Sequence, residues 1–192
     1  MIRSLLAASA LAALLPLTAQ AAEVVPLAHF TKIALFGGGH VVLRHGARQQ
    51  VTITTGSTQY THFTQPNPGE LQIDACNDEC PHHYDLEIEI VSPDVDSVAV
   101  ADGGEIVAKG DFPKRNIVNV GVRQGGAVDA RALRGDLVNA AVNQGGSIKV
   151  AASGSLNAAV NQGGLIRYWG DPIVNQAIHD GGSIQRGGRD AD

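Results

Sequence analysis

Between residues 118 and 160 apolar and polar positions alternate with a period of two. Val118, Val120 and Val122 alternate with Asn119 and Gly121. Val138, Ala140 and Val142 alternate with Asn139 and Ala141, and Leu156, Ala158 and Val160 with Asn157 and Ala159. Alternation of small and β-branched residues predicts strands with one buried face. The strands recur with the same punctuation. Gly-Gly pairs stand at 38–39, 103–104, 125–126, 145–146, 163–164 and 181–182, and from the second pair onward they are 22, 20, 18 and 18 residues apart. Three residues before each pair stand Leu35, Val100, Val122, Val142, Val160 and Ile178. Three residues after its first glycine stand Val41, Ile106, Val128, Ile148, Ile166 and Ile184.

Each repeat therefore reads strand, glycine corner, strand. A second corner is expected at Gly110-Asp111, Gly135-Asp136, Gly154-Ser155 and Gly170-Asp171. Two corners and two or three short strands in about 18–22 residues fit one coil of a parallel β-helix. One coil cannot bury its own apolar face, whereas stacked coils bury a continuous core. The expectation is an all-β, single-domain, right-handed parallel β-helix. Stacking would bring Asn119, Asn139, Asn157 and Asn175 about 4.7–4.9 Å apart as an outward ladder of amides. Gln176 takes the column of Ala158, which marks the last coil as a cap.

The first half is less regular. Strands are expected at 30–36, 41–44, 51–54, 71–75 and 84–91, with loops at 56–70 and 76–83. No segment has a helical period. The last residues, 186–192, are glycine-rich and polar and read as a flexible tail.

Residues 1–21 have a different character. A basic start at Arg3, an apolar run from Leu5 to Leu17, and Ala19-Gln20-Ala21 together predict a secretory signal cut before Ala22. The run is short for a span, which needs about 20 apolar residues, so no membrane span is expected. The address is periplasmic or secreted, and residues 22–185 form the expected domain. Net charge is −5, so there is no basic excess for nucleic-acid binding.

The sharpest chemical cluster is Cys76-Asn77-Asp78-Glu79-Cys80-Pro81-His82-His83. An oxidising compartment and a total of two cysteines favour a Cys76–Cys80 disulfide. The alternative is a zinc or copper site using Cys76, Cys80, His82 and His83, which has the right ligand types. Apart from that alternative, no cofactor is expected. A small polysaccharide-active enzyme is a second alternative, but it needs clustered carboxylates. Asp102 and Asp180 share a column, yet Gln124, Gln144 and Gln162 stand between them. No catalytic residue is assigned. Arg134-Gly135-Asp136 spells an adhesion tripeptide, but it occupies the expected second corner, where glycine and aspartate serve the turn. Tyr168 falls in the apolar column of Ala130 and Val150, which places Trp169 on the opposite face.

The chain resembles the head GIN domain family of autotransporter-adhesin-like proteins. The resemblance rests on Phe30-Thr31-Lys32-Ile33 with Phe36-Gly37-Gly38-Gly39, and on Leu86-Glu87-Ile88-Glu89-Ile90 running to Pro93. It rests also on Ser97-Val98-Ala99-Val100 before Asp102-Gly103-Gly104, on the glycine-pair coils, and on Tyr168-Trp169-Gly170-Asp171-Pro172. It implies an exported right-handed β-helical domain and no catalytic residue. The preferred reading is a non-catalytic binding module. Its candidate face carries Asn119, Asn139, Asn157, Asn175 and Trp169, and its candidate partner is a glycan or a surface protein. Homo-oligomers through open β-helix ends are a further expectation.

Overall fold

The computed structural model describes residues 22–77 and 79–188. The expected signal sequence and the last four residues of the expected tail lie outside them. The described residues are all-β. Their strands are β1 (Glu23–Val25), β2 (Phe30–Phe36), β3 (His40–His45), β4 (Gln50–Thr55), β5 (His62–Thr64), β6 (Gly69–Asp74), β7 (Glu87–Ser92) and β8 (Ser97–Ala101). They continue with β9 (Glu105–Lys109), β10 (Arg115–Arg123), β11 (Ala127–Asn143), β12 (Ser147–Asn161), β13 (Leu165–Trp169), β14 (Ile173–His179) and β15 (Ser183–Arg186).

The glycine corners divide the strands into two columns. Before the corners the neighbours run β5-β6-β2-β8-β10-β11-β12-β14. After the corners they run β1-β4-β7-β3-β9-β11-β12-β13-β15. The long strands β11 and β12 belong to both columns, through their two ends. Residues aligned by their distance from a Gly-Gly pair are register partners. Leu35 pairs with Val100, and Val122, Val142, Val160 and Ile178 follow in line. Val41, Ile106, Val128, Ile148, Ile166 and Ile184 form the matching line beyond the corner. Nearly all of these side chains are buried in one continuous apolar cluster, and Ile178 and Ile184 at the end are the exceptions.

The sheet is mixed and open, which corrects the expectation of a purely parallel solenoid. β4 runs antiparallel to β7 and to β1, and β5 antiparallel to β6. The cause is connection length. Residues 46–49 join β3 to β4, and a parallel return needs a dozen residues or more. The short link instead crosses the end of β7. There the Gly46 amide donates to the Ser92 carbonyl at 3.1 Å, and a Cβ on Gly46 would lie 2.4 Å from Val91 Cγ1. Spatial order also departs from chain order. The coil made by β6 and β7 lies outside that of β2 and β3, so β8 and β9 return to stack on the other side of β2 and β3.

Three local expectations are revised as well. Gly135 and Gly154 lie inside continuous strands, where a register irregularity replaces the expected corner. β1 and β5, three residues each, are too short to leave a periodic signal. The tail is not free after 185. Arg186 pairs with Tyr168, the Gly187 amide donates to the Tyr168 carbonyl at 2.8 Å, and Trp169 Nε1 donates to the Gly188 carbonyl at 2.9 Å. Gly187 lies so close to the indole that a Cβ there would be 2.2 Å from Trp169 Cε2.

Candidate functional site: an amide-lined groove

The outward side chains of the first column make three parallel rows. In the first row the asparagines link into a ladder. Asn139 Nδ2 donates to Asn119 Oδ1 at 2.9 Å, Asn157 to Asn139 at 2.9 Å, and Asn175 to Asn157 at 3.0 Å. Ser97 continues the row on β8. Two residues on, Ala99, Gly121, Ala141, Ala159 and Ala177 form a row that is nearly flat. Beyond it stand Arg123, Asn143, Asn161 and His179, where Asn161 Nδ2 donates to Asn143 Oδ1 at 3.1 Å.

Because the middle row is small, the face is concave. An open groove of about 670 Å³ runs along it, lined by residues 97–99, 119–121, 139–141, 157–159 and 175–177. None of the lining residues is ionisable. Each amide in the middle of the ladder spends one N–H and one carbonyl lone pair on its neighbours. It keeps one N–H and one lone pair for a ligand. The groups are therefore held in one orientation before anything binds, which lowers the ordering cost of binding.

The second asparagine ladder and the alanine row were not singled out from sequence. Their signal is present: Asn143 and Asn161 are 18 residues apart, four positions after Asn139 and Asn157.

Trp169 lies elsewhere, which corrects its inclusion in the binding face. It belongs to β13 in the second column and borders two smaller concavities, one with Lys109, Asp129 and Arg131, the other with Lys114, Arg134 and Ser153. The Arg131 guanidinium sits 4.9 Å over its ring and is bonded to Asp129. With Gly187 also packed on it, the indole fastens the last coil. Tyr168 is partly buried and packs against the core. Arg134-Gly135-Asp136 lies within β11 rather than on a protruding loop. Its aspartate pairs with Lys114 and accepts from Ser153 Oγ. Those contacts hold the exposed Asp136 carboxyl below its ordinary value, the Lys114 hydrogen bond being the largest cause.

The cysteine loop replaces a glycine corner. Between Phe36 and His40 the chain turns on three glycines, while the coil beside it uses residues 75–86 for the same turn. Cys76 and Cys80 are joined in a disulfide with their Cα atoms 5.6 Å apart. Each sulfur is bonded to the other, so the pair offers no thiolate to a metal. His82 and His83 are exposed, and among the described residues no group of three or more His, Cys, Asp or Glu could hold a metal ion.

Asn77 ties the loop to residues 59–60, its amide donating to Tyr60 O and its side chain to Gln59 O, both at 2.9 Å. Tyr84 closes the loop's other end. Its hydroxyl accepts from the Ser57 amide at 2.8 Å, donates to the Ser57 carbonyl at 3.1 Å and lies 2.8 Å from the buried Thr61 hydroxyl. Tyr84→Phe is expected to cost about 1–3 kcal/mol, since it strips partners from groups already withdrawn from water. Urea unfolding would show it as a lower midpoint with an unchanged slope.

The sequence matches, over residues 29–118 and 114–172, the family described as "Putative auto-transporter adhesin, head GIN domain". The chain belongs to the head GIN domain family. No curated protein matches it. Among solved structures, a "putative adhesin" from Bacteroides fragilis NCTC 9343 is 15% identical with a TM-score of 0.51, covering 86% of this chain and 94% of that one. A "putative adhesin" from Parabacteroides merdae ATCC 43184 is 13% identical with a TM-score of 0.42, covering 88% and 96%. A "putative cell adhesion protein" from Clostridium sporogenes ATCC 15579 is 13% identical with a TM-score of 0.40, covering 86% and 97%. At 15% identity the first likeness concerns the fold of this GIN domain and not its ligand.

Proposed function

We propose that this GIN domain is an exported, non-catalytic binding module whose uncharged groove holds a neutral glycan. The observation that carries this reading is the asparagine ladder beside a row of alanines, with no ionisable lining residue. Fixed amides offer paired donors and acceptors to hydroxyl groups, and the small row admits a flat, extended chain. A charged polymer would find no counter-charge on the groove floor or along the asparagine ladder, and Arg123 and His179 stand only at the two ends of the outer row. The family description supports an adhesin-like role. The secretory signal read at residues 1–21 supports export, and no helix among the described residues is long and apolar enough to cross a membrane. The parallel coils are proposed to wind right-handed, as nearly all parallel crossovers do.

The test is capture of neutral polysaccharides by the purified chain, compared with an Asn139→Ala/Asn157→Ala variant. Binding should fall tenfold or more. The two substitutions remove three ladder hydrogen bonds, each contributing about 0.5–1.5 kcal/mol, so capture is compared well below the thermal midpoint of both proteins. Equal capture by both proteins would remove the groove from consideration.

A further inference from the structure

The last strand of the first column, β14, leaves half of its peptide groups unused. β14 pairs with β12 alone among the described residues. Peptide groups alternate sides along a strand. The His179 carbonyl accepts from the Gln162 amide at 3.0 Å, so the odd-numbered peptide groups of β14 face β12. Those of Val174, Gln176 and Ile178 therefore point away from the sheet.

The usual protections of such an edge are missing. β14 reads Ile-Val-Asn-Gln-Ala-Ile-His and contains no proline, lysine, aspartate or glutamate. It is seven residues long, whereas the edge strands β1 and β5 at the other end have three each. It also exposes apolar surface, with Ile173 at 74% and Ile178 at 44%.

We infer that β14 pairs with β14 of a second copy, antiparallel and centred on Gln176. The sequence of the strand is self-complementary about that residue. Val174 would face Ile178 of the second copy, Asn175 would face Ala177, and Gln176 would face its own counterpart. In an antiparallel pair, residues that exchange hydrogen bonds lie directly opposite one another. This register sets the outward-pointing residues 174, 176 and 178 opposite 178, 176 and 174, giving about six backbone bonds. A slip of one residue would set them opposite residues whose peptide groups face β12. The pairing covers the apolar positions that the last coil leaves open and continues the grooved face across the two-fold axis. It does not depend on what the groove binds.

A charge swap tests the pairing. Like charges directly opposite each other on paired strands repel. The wild-type chain should sediment at twice its monomer mass. Gln176→Lys and Gln176→Glu should each weaken that association tenfold or more, and an equimolar mixture of the two should restore it. Because Gln176 is exposed in the single chain, both variants should keep the thermal midpoint that the wild-type chain shows at dilutions where it is monomeric. The inference is overturned if the wild-type chain stays monomeric at all concentrations. It is equally overturned if both single variants associate like the wild type, or if their mixture does not recover.

Discussion

Replacing Gly146 by alanine is expected to cost about 2–5 kcal/mol, through left-handed backbone strain of about 1–2 kcal/mol and overpacking of about 1–3 kcal/mol. Its neighbour provides the control. Gly145 and Gly146 both have positive φ, 87° and 102°. A Cβ on Gly145 would meet nothing within 4 Å, but one on Gly146 would lie 2.5 Å from Val122 Cγ1 and 2.8 Å from the Gly126 carbonyl oxygen. That oxygen already accepts from the Ser147 amide at 3.0 Å, so it cannot move without breaking the ladder between coils. Gly145→Ala should therefore cost only the strain, about 1–2 kcal/mol. Urea denaturation of both variants measures the difference, and equal losses would show that close packing at the corner contributes nothing. The crowding recurs one coil on, where a Cβ on Gly164 would lie 2.4 Å from Val142 Cγ1.

Phe30→Ala should have an effect of similar size, about 3–5 kcal/mol, the usual cost of deleting a buried phenyl ring. Phe30 is fully buried at the start of β2, in the irregular end of the molecule. Its amide donates to Gln49 Oε1 at 3.0 Å, and Gln49 Nε2 donates to the Ala28 carbonyl at 3.0 Å. The ring anchors the segment that enters β2, while the backbone amide of the same residue, which alanine would keep, holds the turn into β4 through Gln49. Loss of the ring leaves a cavity at the junction between parallel and antiparallel strands. A loss below about 1 kcal/mol would mean that the antiparallel end is plastic enough to fill it.

The regular coils were legible because their signals are local. Alternation with period two identified the buried rows, and the distance from each Gly-Gly pair predicted the partners of Val122, Val142 and Val160. The outward asparagine ladder follows from the same two facts. The cysteine pairing was legible from compartment and count. The residue before each pair was less so: Gln124, Gln144 and Gln162 take φ between 56° and 61°, a conformation that no propensity assigns to glutamine. It is imposed by the three-residue corner, which the ladder on each side holds in place.

What the sequence determined by itself is the alternation around the glycine pairs: which residues of the regular strands are buried, which stack on which, and where those pairs turn the chain. Each of these depends on residues adjacent in the chain or one coil apart. What only the tertiary structure decided is the order and direction of the irregular strands and the shape of the outer face. β7 enters between β3 and β4, and β4 runs antiparallel, because a four-residue link cannot make a parallel crossover. Trp169 stands in the second column, away from the asparagine groove, and fastens the tail, because Gly187 and Arg131 pack against its ring. The groove exists because four alanines and Gly121, from five separate strands, line up beside the ladder row. No single strand carries that concavity; it emerges only when residues one coil apart are placed side by side.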